Sequence, residues 1–181
     1  MRSYLKSYLK RFYRHEDGAA YTIEWLFIFP ILMFILVSSW ELGIYSFRQN
    51  FLDRGLDLAV RDVRLNTAIS YTHSQVKQNI CDKAIFLPNC LNNIKLEMKK
   101  IDPRNFSGFT QTADCIDRSQ PLLPSRQFIH GGEHDIMVMR ACYLYDPTFS
   151  HIGLGNTMIE TSSGKGYPLV SVSVFVQEPA S

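Results

Sequence analysis

The sequence predicts an α+β protein in which a long N-terminal helix crosses a membrane and then packs on a small antiparallel sheet. Two observations carry this prediction. An apolar run occupies residues 21–45 with one carboxylate near its start, and later segments alternate apolar and polar residues as strands do. The rest of the 181-residue chain is long enough for one domain with a modest core.

The apolar run is long enough to cross a bilayer as a helix, because about 20 helical residues span a hydrocarbon core of roughly 30 Å. Its strictly apolar part is residues 25–37. Tryptophan and tyrosine, which are typical of membrane interfaces, lie toward both ends. These aromatic residues are Tyr21, Trp25, Trp40 and Tyr45.

The charge distribution predicts the orientation of this helix. Residues 1–17 carry five basic and two acidic side chains, a net charge of +3, whereas the whole chain carries +2. Basic residues before a span and none within it indicate a cytoplasmic N-terminus and an exported remainder. We therefore assign the basic tract to topology or lipid headgroups and do not expect nucleic-acid binding. Its basic members are Arg2, Lys6, Lys10, Arg11 and Arg14.

A secretory signal peptide would share the basic and apolar regions, but signal peptidase needs a small-x-small site after the apolar run. Ser38, Ser39 and Gly43 are instead followed by helix-compatible sequence. Glu24 is the unusual residue, since a carboxylate at a helix centre in the bilayer costs about 2.5–3.5 kcal/mol and less near the interface. Two interpretations stay open: Glu24 reaches the headgroups, or it meets a positive charge inside an assembly.

The helix is expected to continue beyond the membrane as an amphipathic segment. If it is unbroken from residue 20 to 66, it is roughly 70 Å long. A kink at Pro30 and a break at Gly43 or Gly55 are the alternative. The apolar residues of the extension recur at helical spacing, at Leu52, Leu56, Ala59, Val60 and Val63.

The remaining pattern predicts a second helix and three strands. Thr72 and Gln75 have the spacing of a capping box, and the helix that they open should end before Pro88. Residues 135–145 are almost wholly apolar and should form the central strand of an antiparallel sheet. The other two strands are expected at residues 94–99 and 170–176, and long loops at 102–132 and 147–167.

The four cysteines all lie on the side of the membrane predicted to be exported. An even number of cysteines in an oxidising compartment favours two disulfides over a metal or redox site, and no CxxC motif is present. Of the three possible connectivities we favour Cys81 with Cys90, and Cys115 with Cys142. Each disulfide should stabilise the fold by about 2–4 kcal/mol.

Candidate catalytic groups are few, and we expect neither an enzyme nor a cofactor. His130, Glu133 and His134 could bind a metal ion, but a polar turn before a strand is the simpler interpretation. The other histidines are scattered, and we find no nucleophile elbow, phosphate loop or carboxylate pair at catalytic spacing.

The N-terminal residues resemble a known family. The stretch EDGAAYTIEW at 16–25, followed by Phe29-Pro30 and Glu41-Leu42-Gly43, is similar to the opening of the TadE/TadG-like proteins. These are minor pseudopilins of tight-adherence (Tad/Flp, type IVb) pilus systems. The segments at 140–147 and 175–179 share the resemblance less closely.

The resemblance implies a basic cytoplasmic leader, Met1 to Gly18, that a prepilin peptidase removes to leave a new amine on Ala19. The family glutamate is normally fifth after the cut. Cleavage after Gly18 makes Glu24 the sixth residue, whereas cleavage after Ala19 makes it the fifth. Pairing of this carboxylate with the new amine at about 4 Å would contribute about 4 kcal/mol at an effective dielectric near 20.

The function implied by the resemblance is that of a structural component in pilus assembly. Residues 1–18 would be the leader, 19–45 the span in a bacterial inner membrane, and 46–181 a periplasmic domain. The partners implied are a prepilin peptidase, other pseudopilins, the major pilin, the assembly platform and a secretin channel. The alternative is a single-pass protein with an uncleaved anchor, whose periplasmic domain binds a ligand, acts as an adhesin or carries an enzyme activity.

Overall fold

The computed structural model describes residues 17–66, 71–102, 104, 112–116, 118, 128–161 and 166–179, and side chains from residue 21 onward except at 160 and 161. Residues 1–16 of the predicted leader, which runs to Gly18, therefore lie outside the described residues. The fold is α+β. Four helices and three strands follow one another in the described parts of the chain as α1 (Asp17–Leu65), α2 (His73–Lys83), α3 (Cys90–Asn93), β1 (Ile94–Lys100), β2 (Ile136–Tyr145), α4 (Leu154–Thr161) and β3 (Tyr167–Val176).

The first helix is continuous, as the longer of the two sequence-based alternatives predicted. Its 49 residues pass through Pro30, Gly43 and Gly55, and its length is about 73 Å at about 1.5 Å per residue. Gly55 marks a close helix contact, because a Cβ there would lie 3.0 Å from both the Cβ of Ala84 and the carbonyl oxygen of Ile80. Gly55 therefore allows the end of α2 to approach α1 closely, and it does not interrupt α1.

The second helix begins where the capping-box pattern placed it. The Thr72 hydroxyl accepts a hydrogen bond from the Gln75 backbone N–H, and the Gln75 side chain accepts one from the Thr72 backbone N–H. The helix ends at Lys83, and the chain then turns through Ala84 to Leu87, whose apolar side chain is still buried. The buried apolar residues therefore continue to Leu87, beyond the end of the helix at Lys83.

The three strands form an antiparallel sheet in the order β1-β2-β3, with β2 in the centre as predicted. Leu96 lies opposite Ala141, which lies opposite Ser171 on the third strand. The core lies between this face of the sheet and the helices α1 and α2. Its largest fully buried side chains include Tyr143, Tyr145, Leu52, Leu56, Ile80, Leu96, Met137 and Met139.

The opposite face of the sheet carries a buried ion pair. Arg140 donates hydrogen bonds to Glu97 Oε2 from Nε at 3.1 Å and from Nη2 at 2.5 Å, and both side chains are buried. The two residues are cross-strand neighbours on β1 and β2. Arg140 therefore lies inside an otherwise apolar central strand with a charged partner directly opposite.

Two disulfides join the pairs that the sequence analysis favoured. Cys81 in α2 is bonded to Cys90 in α3, with their Cα atoms 5.7 Å apart. Cys115 is bonded to Cys142 in β2, with their Cα atoms 5.3 Å apart. The second bond fastens the chain between β1 and β2 to the central strand.

Candidate functional site at the junction of helix and head

The N-terminal part of α1 is an apolar helix whose side chains are exposed. Every residue from 21 to 36 is exposed, including Trp25, Phe27 and Phe34. This is one helix, near the N-terminus, that is long and apolar enough to span a membrane. A continuous apolar surface of this size is typical of contact with lipid or with another apolar partner.

The residues singled out for processing and assembly lie at the start of this helix. Gly18 and Ala19 are in its first turn, so the chain is helical at both bonds considered for cleavage. Glu24 is exposed on the apolar part, about one turn after Tyr21. The proposed roles of these three residues in cleavage and pairing remain predictions.

The folded part beyond α1, residues 71–179, is referred to here as the head. One attachment to α1 is at Glu41, which is fully buried although it lies near the end of the apolar run at 21–45. The Glu41 carboxylate accepts a hydrogen bond from the Tyr145 hydroxyl at the end of β2. It also accepts hydrogen bonds from the backbone N–H groups of Thr148 and Phe149, each at 3.1 Å. One carboxylate thereby binds three donors of the head.

An aromatic cluster surrounds this carboxylate. The Tyr45 ring lies edge-to-face against Tyr145, with centroids 6.2 Å apart, and against Tyr167, with centroids 5.7 Å apart. The Arg48 guanidinium carbon lies 4.8 Å from the Tyr145 ring centroid. Burial, and next the carboxylate of Glu41, raise the pKa of Tyr145 well above its usual value of 10.0. The hydroxyl therefore stays protonated and donates to Glu41.

The loop after β2 is shaped by two glycines. We call residues 147–153 the junction loop. A Cβ on Gly155 would lie 2.3 Å from the carbonyl oxygen of Phe149, so only glycine fits there. Gly153 has a positive φ of 65°, and a Cβ there would lie 2.8 Å from Ser38 Oγ. Gly153 therefore lets the junction loop approach α1 closely, and α4 follows the loop.

Sequence reasoning found only part of this site. Glu41 was noted as part of the N-terminal resemblance, and its burial was not predicted. Tyr145, Tyr167 and Arg48 had no assigned role. A carboxylate near the end of the apolar run was the available signal, because such a group needs partners once it is buried.

The candidate metal ligands lie in a turn before β2. His134 has a positive φ of 63°, and its backbone N–H donates to the carbonyl oxygen of Gln177. Within the part of the chain that the structure describes, no three His, Cys, Asp or Glu side chains are grouped so as to hold a metal ion. His130, Glu133 and His134 therefore do not form such a group.

Comparison of the chain with protein-family models, with curated proteins and with solved structures gives no match.

Proposed function

We propose that this protein is a TadE-like minor pseudopilin, a structural component in the assembly of a type IVb (Tad/Flp) pilus. The observation that carries the proposal is the continuous helix α1. Its first half is an exposed apolar helix, and its second half packs against the small α+β head. An exposed carboxylate, Glu24, lies near the start of the apolar half. The N-terminal motif described above agrees with this arrangement.

In this proposal, α1 is inserted in the bacterial inner membrane with the basic leader in the cytoplasm and the head in the periplasm. A prepilin peptidase removes the leader after Gly18 or Ala19, and the freed amine pairs with Glu24 of the same or a neighbouring subunit. The attraction offsets much of the cost of a carboxylate in the membrane. Two disulfides suit an oxidising compartment.

The test is the mass of the mature N-terminus, measured on protein from membranes of cells with and without an active prepilin peptidase. A peptidase-dependent start at Ala19 or Ala20 supports the proposal and decides the position of Glu24 in the mature chain. An intact N-terminus in both strains contradicts it.

Glu24 provides a second test. Replacing it with alanine should leave membrane insertion intact and impair assembly with other pilus subunits, because the pairing charge is lost. Glu24→Gln is the matched variant, since it keeps the side-chain shape and removes only the charge. Normal assembly of both variants would argue against the proposed pairing.

One observation favours the alternative of an anchored binding domain. The outer face of the edge strand β3 exposes four valines, which are Val170, Val172, Val174 and Val176. A strand edge with an exposed apolar face is suited to pairing with a strand of a ligand. An uncleaved N-terminus together with ligand binding at this edge would favour the alternative.

A further inference from the structure

The junction loop reaches the part of α1 that is apolar enough to lie in a membrane. A Cβ added to Gly153 would lie 2.8 Å from Ser38 Oγ and 3.8 Å from Val37 Cγ1. Val37 is the last residue of the strictly apolar stretch at 25–37. The head thus contacts α1 eight residues before the boundary at residue 45 that the sequence predicted for the span.

The depth of this contact follows from the geometry of a helix. About 20 helical residues cross the hydrocarbon core, so a span that begins at Tyr21 ends near Trp40. Polar headgroup layers add about 5–8 Å on each side, since a whole bilayer is about 40–45 Å thick. The loop beside Val37 and Ser38 therefore lies at the boundary between the acyl chains and the headgroups. Trp40 is exposed at the same level, where tryptophan is favoured.

The side chains of the junction loop are suited to this depth. Phe149 is 38% exposed and Ile152 is 56% exposed. Residues 147–153 contain no Lys, Arg, Asp or Glu. The one titratable side chain of the loop is the exposed His151. A loop without these four charged residue types and with exposed apolar side chains is suited to the boundary region of a bilayer.

The position of the loop relative to α1 is fixed by hydrogen bonds. Glu41 accepts from the backbone N–H groups of Thr148 and Phe149, at 3.1 Å each. Because Glu41 is fully buried, these bonds are partly shielded from water. When α1 enters a bilayer, the loop must enter with it to the corresponding depth.

We propose that the junction loop is a second membrane contact, in which Phe149 and Ile152 insert among the phospholipids of the outer-facing leaflet. The inference rests on the proposed membrane insertion of α1. The partner is the phospholipid bilayer itself, because the loop lies beside Val37 and Ser38 at the end of the strictly apolar stretch of α1. The head is then held against the membrane surface at two points rather than suspended from one helix.

The experiment uses full-length protein with one added cysteine that carries an environment-sensitive fluorophore. The two test positions are Ile152→Cys and Phe149→Cys, since both side chains are exposed and their backbone hydrogen bonds are retained. The proteins are reconstituted in vesicles of phosphatidylethanolamine and phosphatidylglycerol. Quenching is measured with lipids that carry a nitroxide on the upper acyl chain, and separately with aqueous iodide.

Labels at two other positions serve as controls. Ile28→Cys reports on the span. Val174→Cys is a matched apolar control, because Val174 is 63% exposed and lies toward the other end of the head. We expect the nitroxide lipids to quench the labels at 149 and 152 several-fold more than the label at 174, and iodide to show the reverse order.

Three outcomes would overturn the inference, and they differ from one another. Iodide quenching at 149 and 152 equal to that at 174, with the label at 28 in lipid, refutes the loop contact and leaves the membrane span intact. Protection of both loop labels from both quenchers means that protein, such as a second copy, covers the loop. A label at 28 that is accessible to iodide refutes the insertion of α1 and, with it, the proposed function.

Discussion

Among the polar contacts that join the head to α1, two at opposite ends of the head each use a glutamate carboxylate as acceptor, in different surroundings. At the end next to the apolar half of α1, Glu41 is fully buried and accepts hydrogen bonds from three donors. At the distal end, Arg64 Nε lies 2.9 Å from Glu178 Oε1, and the two side chains are 52% and 42% exposed. Burial, and not the presence of charge, should decide which contact holds the head in place, because water screens the exposed pair.

The largest effect is expected for Glu41→Ala. The substitution leaves the Tyr145 hydroxyl and two backbone N–H groups without an acceptor in a buried site, at a total cost of about 3 kcal/mol or more. Chemical denaturation of the purified protein in detergent, followed by near-ultraviolet circular dichroism, measures this loss. Amide hydrogen exchange at Thr148 and Phe149 should accelerate as well. An unchanged denaturation midpoint would contradict the role given to Glu41.

A smaller effect is expected for Tyr145→Phe, which removes one donor and leaves the ring in place against Tyr45 and Arg48. The expected loss is about 1 kcal/mol, since Glu41 keeps two backbone donors. The double variant with Glu41→Ala should be less destabilised than the sum of the two single variants. Strict additivity would show that the hydroxyl and the carboxylate do not act together.

The head also contains a titrating group, His73 at the start of α2. Burial lowers its pKa below the usual 6.5, although a hydrogen bond to the backbone of Leu96 opposes the shift. Because the unfolded chain binds the proton more readily, the contribution of His73 is complete above pH 6.5 and decreases as the pH falls from there through its lowered pKa. The unfolding midpoint should therefore decrease on mild acidification.

The substitution His73→Phe should reduce this acid sensitivity while it preserves a ring next to Phe128, whose centroid lies 5.3 Å away. His151→Ala is the matched control, because His151 is exposed on the junction loop. Equal acid sensitivity of the wild type and His73→Phe would assign the effect to other groups.

The smallest effect is expected for Arg64→Ala. Exposed ion pairs contribute about 0–1 kcal/mol, so the denaturation midpoint should hardly change, and added salt should reduce the difference further. The same denaturation assay serves for this variant and for Glu41→Ala. A loss of stability as large as that caused by Glu41→Ala would show that burial does not distinguish the Glu41 contact from the Arg64–Glu178 pair.

Much of the architecture could be predicted because its signals are local. The Thr72–Gln75 box opens α2, and the almost wholly apolar segment 135–145 identifies the central strand. α4 was missed, since it is a helix of 8 residues inside a predicted loop, with glycines at 153 and 155 around its start. It depends on tertiary contacts instead, through Met158 in the core and the close approach of Gly155 to Phe149.

The candidate site could not be found in the same way. Glu41 and Tyr145 are 104 residues apart, and no local pattern links them. Sequence reasoning can state that a buried carboxylate needs donors, but not which strand end supplies them. The disulfide pairing was easier to predict, because four cysteines allow only three pairings and their positions favoured the pairing that the structure contains.

The continuity of α1 has a mechanical consequence. Glu41 and the junction loop stiffen α1 just after its apolar half. A torque on the head should therefore not bend α1 near Glu41. The compliant point is lower, at Pro30, which has no N–H to donate to the carbonyl of the preceding turn. Bending of α1 under load is therefore expected at Pro30, within the apolar helix and six residues after Glu24.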